Sequence, residues 1–98
     1  MSYVSAFSFR AQKEMIEAWK WYEDRQPGLG DRFTREVKKR ILEIEQNPKR
    51  YPEKIIYFRE TRIKVFPYII VYRIKEKQKV IAIVSIFHGH RDPSKKYK

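Results

Sequence analysis

The chain is 98 residues long, carries a net charge of +11 and contains no cysteine. That length fits one domain, residues 1–98, with a small core, and the missing thiols exclude disulfides, thiolate nucleophiles and cysteine metal sites. No apolar run approaches the ~20 residues that span a bilayer, and Met1-Ser2-Tyr3-Val4 lacks the basic-then-apolar order of a secretory leader, so a cytoplasmic protein without membrane attachment is expected.

In chain order, residues 3–7 are β-branched and aromatic, which predicts a short strand. Ser8 can cap a helix over about Phe9–Gln26. Met15, Ala18, Trp19 and Tyr22 recur there at helical spacing and Glu14, Glu17 and Lys20 are expected to face water. Pro27-Gly28 breaks this helix. A second starts near Gly30 or Asp31, buries Phe33, Val37, Ile41 and Ile44, and ends at Asn47-Pro48; Glu36 and Arg40 are spaced for an ion pair along it. So short a connection implies an antiparallel helical hairpin.

Beyond Pro52 the period changes to two. Ile55–Phe58 and Thr61–Phe66 read as extended, as one bent strand. Tyr68–Lys75 is a strand, Glu76-Lys77-Gln78 its turn, and Lys79–His88 the most apolar strand, suited to the sheet centre. Gly89 to Lys98 reads as a basic irregular tail. The order β-α-α-β-β-β predicts an α+β fold, in which an N-terminal strand and a helical hairpin pack on one face of a mainly antiparallel twisted sheet. The other face is then free for a ligand.

Residues 61–98 hold ten Lys or Arg against two acids, Glu76 and Asp92. Such a field attracts polyanions: nucleic acid, a ribosome or an acidic protein segment.

Four segments carry a family resemblance. They are Pro27-Gly28-Leu29-Gly30-Asp31-Arg32-Phe33, Asn47-Pro48 with Tyr51-Pro52, Phe66-Pro67-Tyr68-Ile69-Ile70-Val71-Tyr72-Arg73, and His88-Gly89-His90-Arg91-Asp92-Pro93. Their ordered set resembles the RelE/ParE toxins of type II toxin–antitoxin systems, known also as plasmid stabilisation proteins. The family fold agrees with the element order read independently above.

In the ribonuclease branch the resemblance implies metal-independent cleavage of mRNA in the ribosomal A site. The ribose 2′-hydroxyl attacks the adjacent phosphate, which calls for a base, an acid and cations for the phosphorane. Arg62 and Lys64, two apart on a strand, are expected to share a face, with Ile63 and Val65 turned to the helices; the alternative is a solvated edge strand. Arg91 matches the family's C-terminal arginine, or is an exposed charge paired with Asp92. Tyr97 stands where that branch places a tyrosine. As a base it needs cations such as Arg91, Lys95 and Lys96 to lower its pKa; otherwise it is a tail residue. His90 is a candidate for proton transfer or phosphate contact, while His88 is expected to pack at the strand end. Two histidines alone make a poor metal site, so no metal and no cofactor is expected.

The departure is Ile69, where ribonuclease members have arginine. Arg73 lies on the same strand face, roughly 13 Å away, and joins Lys95 and Lys96 as a phosphate-binding candidate. Trp19, Tyr22 and Phe33 read as core, and Trp21 as partly exposed.

The resemblance therefore implies a growth-inhibiting toxin acting by ribosome-dependent mRNA cleavage. It implies alternatively a non-enzymatic poison of DNA gyrase of the ParE kind. A non-toxic basic nucleic-acid-binding domain is the third reading. It also implies an acidic antitoxin partner, with the toxin monomeric alone and hetero-oligomeric in complex.

Overall fold

A computed structural model describes residues 3–91 and 93–97. Strand β1 (Val4–Phe7) is followed by helices α1 (Phe9–Arg25) and α2 (Leu29–Gln46), then by β2 (Glu53–Ile55), β3 (Phe58–Arg62), β4 (Tyr68–Lys75) and β5 (Val80–His88), with a 3-10 turn at Pro93–Lys95. The sheet order is β1-β5-β4-β3-β2. β1 pairs parallel with β5, and the other neighbours are antiparallel. The α+β architecture is the one expected, with one more strand. The segment expected as a single bent strand turns at Tyr57, whose φ is 71°, and so makes a hairpin of β2 and β3. β5 is an inner strand, but β4 occupies the centre.

Each helix boundary has a local cause. The Ser8 hydroxyl accepts from the Ala11 N–H and caps α1. Gly28 takes a φ of 90°, a left-handed conformation that glycine adopts without steric cost. It brings no side chain to cap α2. Glu23 of α1 substitutes, accepting from the backbone N–H groups of Gly28 and Gly30 at 2.8 and 2.9 Å. The helices then close tightly, since a Cβ on Gly30 would lie 2.6 Å from the Trp19 carbonyl oxygen. On α2, Glu36 pairs with Lys39 and Arg40 with Glu43, so the expected Glu36–Arg40 pair is not made. Arg40 instead turns to the Tyr51 hydroxyl at 2.9 Å.

The main core lies between the hairpin and one sheet face. Phe33, Val37 and Ile44 of α2 meet Ile70 and Tyr72 of β4 and Ile81, Ile83 and Ile86 of β5. Full burial of such side chains stabilises the fold by about 1.5–3 kcal/mol each. The Tyr72 hydroxyl donates to the Pro48 carbonyl at 2.7 Å, tying the end of α2 to the sheet, and burial pushes its pKa up to about 12. Trp19 departs from the expected core position. It is 38% exposed and donates its indole N–H to Asp31.

The other sheet face is not free. Ile69, Val71 and Phe87 form a second apolar cluster there, packed by Phe58, Val84 and Tyr97. Within the segment expected to be an irregular tail, Tyr97 folds back onto it and residues Pro93–Lys95 form a 3-10 turn.

A bulge in β5 sets the geometry of the sheet end. Val71 opposes Ser85 but Tyr72 opposes Ile83, so Val84 has no partner across the ladder. An extra residue reverses the alternation of side chains beyond it. Ile81 and Ile83 face the helices; past the bulge, Ile86 faces them too and Phe87 faces away. Backbone groups freed at a bulge need other partners. Ser8 donates its hydroxyl to the Val84 carbonyl at 2.8 Å. Glu14 accepts from the Ser85 hydroxyl at 2.7 Å and from the Ile86 N–H at 3.0 Å. Glu14 is therefore not turned to water. Its side chain is 10% exposed and also pairs with Arg10.

Glu14→Ala should destabilise the fold by about 1–3 kcal/mol in urea unfolding, because it leaves the Ile86 N–H unsatisfied. Glu14→Gln keeps an acceptor oxygen and should lose less. Unchanged stability in Glu14→Ala would show that the contact does not hold the bulge.

Candidate functional site

Of the residues singled out in the sequence, Arg62, Lys64, Ile69, His88, Arg91 and Lys96 line three concavities. The first lies on the sheet face away from the helices, has a volume of about 310 Å³ and is lined by Lys54, Glu60, Arg62, Ile69 and Lys96 among others. Ile69 is buried and apolar at its floor, 6% exposed. Lys96 reaches Glu60 at 3.0 Å, and the Tyr97 hydroxyl also donates to Glu60. The Tyr97 ring stacks obliquely on Phe58.

Tyr97 meets a carboxylate where cations were expected to activate it. Burial first, then the hydrogen bond to Glu60 and that residue's charge, push its phenol well above its ordinary range. The phenol is thus held protonated, the opposite of a base poised for neutral pH. Glu60 also spends its charge on Lys96, so the cluster is a closed neutral set at the edge of a basic face.

Lys64 does not join Arg62. β3 ends at Arg62, and residues 63–67 form a loop closed by Ile63 N–H to the Tyr68 carbonyl and Tyr68 N–H to that of Phe66. Phe66 anchors the loop, its ring edge-on to Tyr22 and Phe33 at 4.8 and 5.3 Å. Burying that ring turns the preceding residues out of the strand. Val65 takes a φ of 75° and is exposed instead of facing the helices. Lys64 lands beside α2, in a shallow concavity of about 140 Å³ with Glu36, Lys39, Arg40 and Glu43.

The third and largest concavity, about 640 Å³, lies between α1 and the ends of β4 and β5. Its walls include Glu17, Trp21, Tyr22, Tyr68, His88 and Arg91. Arg91 is here because the β5 bulge directs Ile86 and His88 toward α1. His88 packs at the strand end as expected, edge-on to Tyr68 at 4.9 Å. Its Nδ1 accepts from the His90 N–H at 3.1 Å, and the two rings lie 5.3 Å apart across a turn, not along a continuing strand. Burial, then the charges of His90 and Arg91, hold His88 below the ordinary imidazole range, which keeps it neutral at pH 7. Asp92, the alternative partner of Arg91, is outside the described residues. Trp21 is half-exposed, as anticipated, with the Arg25 guanidinium 3.8 Å above its ring.

Arg73 stands opposite Ala82, at the far end of β4 from Ile69. The Lys95 carbonyl accepts from Arg10 at 2.6 Å. Among the described residues, no group of three or more His, Cys, Asp or Glu could hold a metal. No described helix is long and apolar enough to cross a membrane.

Sequence reasoning missed Glu14 and Glu60. Glu14 had a signal, because it shares the helical face of Ala11, Met15 and Ala18. Glu60 had none, since its partners are 36 and 37 residues away.

With this geometry, comparison with known proteins is informative. A family model described as ParE toxin of type II toxin–antitoxin system, parDE, matches residues 6–93. The chain belongs to that family. Among curated proteins, none matches it. Among solved structures it resembles the chromosomal ParDE system of P. aeruginosa, with a TM-score of 0.75 and 14% identity over 88% of this chain and 95% of that one. It resembles the isolated E. coli RelE toxin with a TM-score of 0.67 and 21% identity over 94% and 89%. A doubly mutated E. coli RelE in complex with an antitoxin RelBc peptide gives a TM-score of 0.66 and 21% identity over 93% and 87%. At these identities the structures share the fold alone.

Replacing Glu60 by Gln should lower the Tyr97 pKa, measured by phenolate absorbance, while burial keeps it above the ordinary phenol value of about 10. The folded-state pKa lies above the unfolded one, so the stabilising contribution of the phenol is complete below about pH 10 and is lost as pH rises further. That alkaline loss should shrink in Tyr97→Phe. A Tyr97 titration unmoved by Glu60→Gln would contradict the assigned contact.

Proposed function

We propose that this chain is the toxin of a type II toxin–antitoxin module and inhibits growth by binding its target, DNA gyrase, without cleaving RNA. The observation that carries this reading is the dispersal of the cations around a buried Ile69. Arg62 and Lys96 line one concavity, Lys64 another and Arg91 a third. In-line attack by a 2′-hydroxyl needs its base, acid and cations within hydrogen-bond reach of one phosphate. Here the phenol proposed as base is held protonated by its burial and then by Glu60, and the floor of the basic face is aliphatic. Loss of one transition-state cation alone costs on the order of 3–4 kcal/mol. A binding poison needs none of this chemistry, only surface and charge.

The second reading, ribosome-dependent mRNA cleavage, is favoured by one observation: Lys54, Arg62 and Lys96 do share a concavity. In that reading they grip the phosphate backbone, with His90 or Arg91 reaching in from the strand end.

In either reading the partner that restrains the toxin is an acidic antitoxin. A net charge of +11 favours it, and the RelE neighbour was solved with an antitoxin peptide bound. The toxin is then a cytoplasmic monomer that enters hetero-oligomers through its antitoxin.

Inducible expression separates the two readings. The gyrase reading expects growth arrest with DNA breaks, inhibited supercoiling by purified gyrase, and unchanged 5′ ends in ribosome-bound mRNA. New mRNA ends that disappear in Arg62→Ala, with supercoiling intact, would overturn it in favour of cleavage. Absence of arrest would overturn both.

A further inference from the structure

The concavity between α1 and the ends of β4 and β5 lends only Arg91 to the second reading above, and its other walls have no part in either. Its volume of about 640 Å³ lies in the range of about 300–1,000 Å³ typical of pockets that hold small ligands. Its walls are aromatic, from Trp21, Tyr22 and Tyr68. Several of its polar groups have no partner among the described residues. Within the described residues, no hydrogen bond or ion pair engages the Glu17 carboxylate, the Arg91 guanidinium, or the hydroxyls of Tyr22 and Tyr68. The His88 Nδ1 is occupied by the His90 N–H, which leaves Nε2 to face a ligand.

The groups converge electrically as well as spatially. The Tyr68 phenol is raised by burial first, then by Tyr22, Glu14 and Glu17, with Arg91 opposing. Glu14 does not compete for a ligand, since Arg10, Ser85 and the Ile86 N–H already use its carboxylate. Among the described residues, a carboxylate without a partner thus stands on the α1 wall and a guanidinium without one at the sheet end, and the same cavity is lined by aromatic rings.

From this arrangement we infer that the cavity binds a guanine nucleotide, with the base against the aromatic side chains, Glu17 on its Watson–Crick edge and Arg91 on its phosphate. Guanine presents two adjacent donors, N1–H and the N2 amino group, to a carboxylate with two acceptor oxygens. Adenine and cytosine each present one donor beside a ring nitrogen lone pair, which a carboxylate repels. Stacking on aromatic side chains suits any base, so Glu17 supplies the preference. A guanidinium accepts a phosphate by paired hydrogen bonds, and the neutral His88 can add a further hydrogen bond without carrying charge. The cation–π contact of Arg25 holds the Trp21 ring in place as a wall. The chemistry is shared by a free mononucleotide and by the terminal guanosine of a nucleic-acid strand, to which the basic surface would add phosphate contacts.

Isothermal titration calorimetry on the isolated chain tests the inference independently of gyrase or ribosome, so its failure leaves the proposed function standing and the reverse also holds. GMP should bind at least about tenfold more tightly than AMP or CMP, the discrimination of one bidentate pair. Glu17→Gln should erase that preference. Glu17 is exposed, and a thermal melt should show the variant as stable as the parent. Arg91→Ala should weaken GMP and leave guanosine unchanged. Short oligonucleotides ending in G distinguish the source. Saturation by them with the same Glu17 dependence, but not by GMP below about 1 mM, assigns the site to strand ends; saturation by GMP itself assigns it to mononucleotides. Failure of both to saturate, or equal binding of all bases regardless of Glu17, would overturn the inference.

Discussion

A single carboxylate, that of Glu14, accepts hydrogen bonds from the Ser85 hydroxyl and the Ile86 N–H where β5 carries an extra residue. A buried N–H left without an acceptor costs about 1–3 kcal/mol, so a bulge in a buried inner strand persists only if the fold brings a partner to it. Ser8 and Glu14 both come from the first turns of α1. The helix that covers the sheet therefore also holds the irregularity in it. Arg10 completes the arrangement by balancing the buried charge.

The consequence reaches the C-terminal motif. Without the bulge, strict alternation from Ile81 and Ile83 would place Phe87 under the helices and His88 on the opposite face. With it, Ile86 and His88 face α1 and Phe87 joins Ile69 and Val71 on the far side. Arg91 follows His88 to the α1 cavity, whereas the Arg62 guanidinium lines the other concavity and lies 3.7 Å from where a Cβ on Gly89 would sit. One extra residue thus divides the cations of the basic half between two faces. On the far face Tyr97 packs with Phe87 and Phe58, and Glu60 pairs with the Lys96 ammonium and accepts from the Tyr97 hydroxyl.

Much of this architecture was legible in the residues. Ser8, Pro27-Gly28 and Asn47-Pro48 mark the helix ends by local chemistry, and the stripe of Phe33, Val37, Ile41 and Ile44 marks the buried face of α2. Tyr68–Lys75 has the bounds its pattern predicts. The misreadings share a cause, which is that each depends on a contact distant in sequence. Thr61–Phe66 alternates like a strand, but burial of Phe66 against Tyr22 and Phe33 ends the strand at Arg62 and carries Lys64 to α2. Tyr97 sits among lysines in the sequence and beside Glu60 in space. Glu14 looks like a surface residue until the bulge, itself invisible in a run from Val80 to Phe87 that is apolar except at Ser85, supplies its donors. The family was legible from ordered motifs; the distribution of its chemical groups was not.

The central claim is the reversal of side-chain alternation in β5. Nuclear Overhauser contacts in the isolated chain test it most directly. The Phe87 ring should contact Ile69, Val71 and Val84, and the Ile86 methyls should contact Ala18 on α1. Phe87 contacts to Phe33 or Ala18, with Ile86 facing Tyr97, would mean that β5 runs without the bulge and would contradict the account.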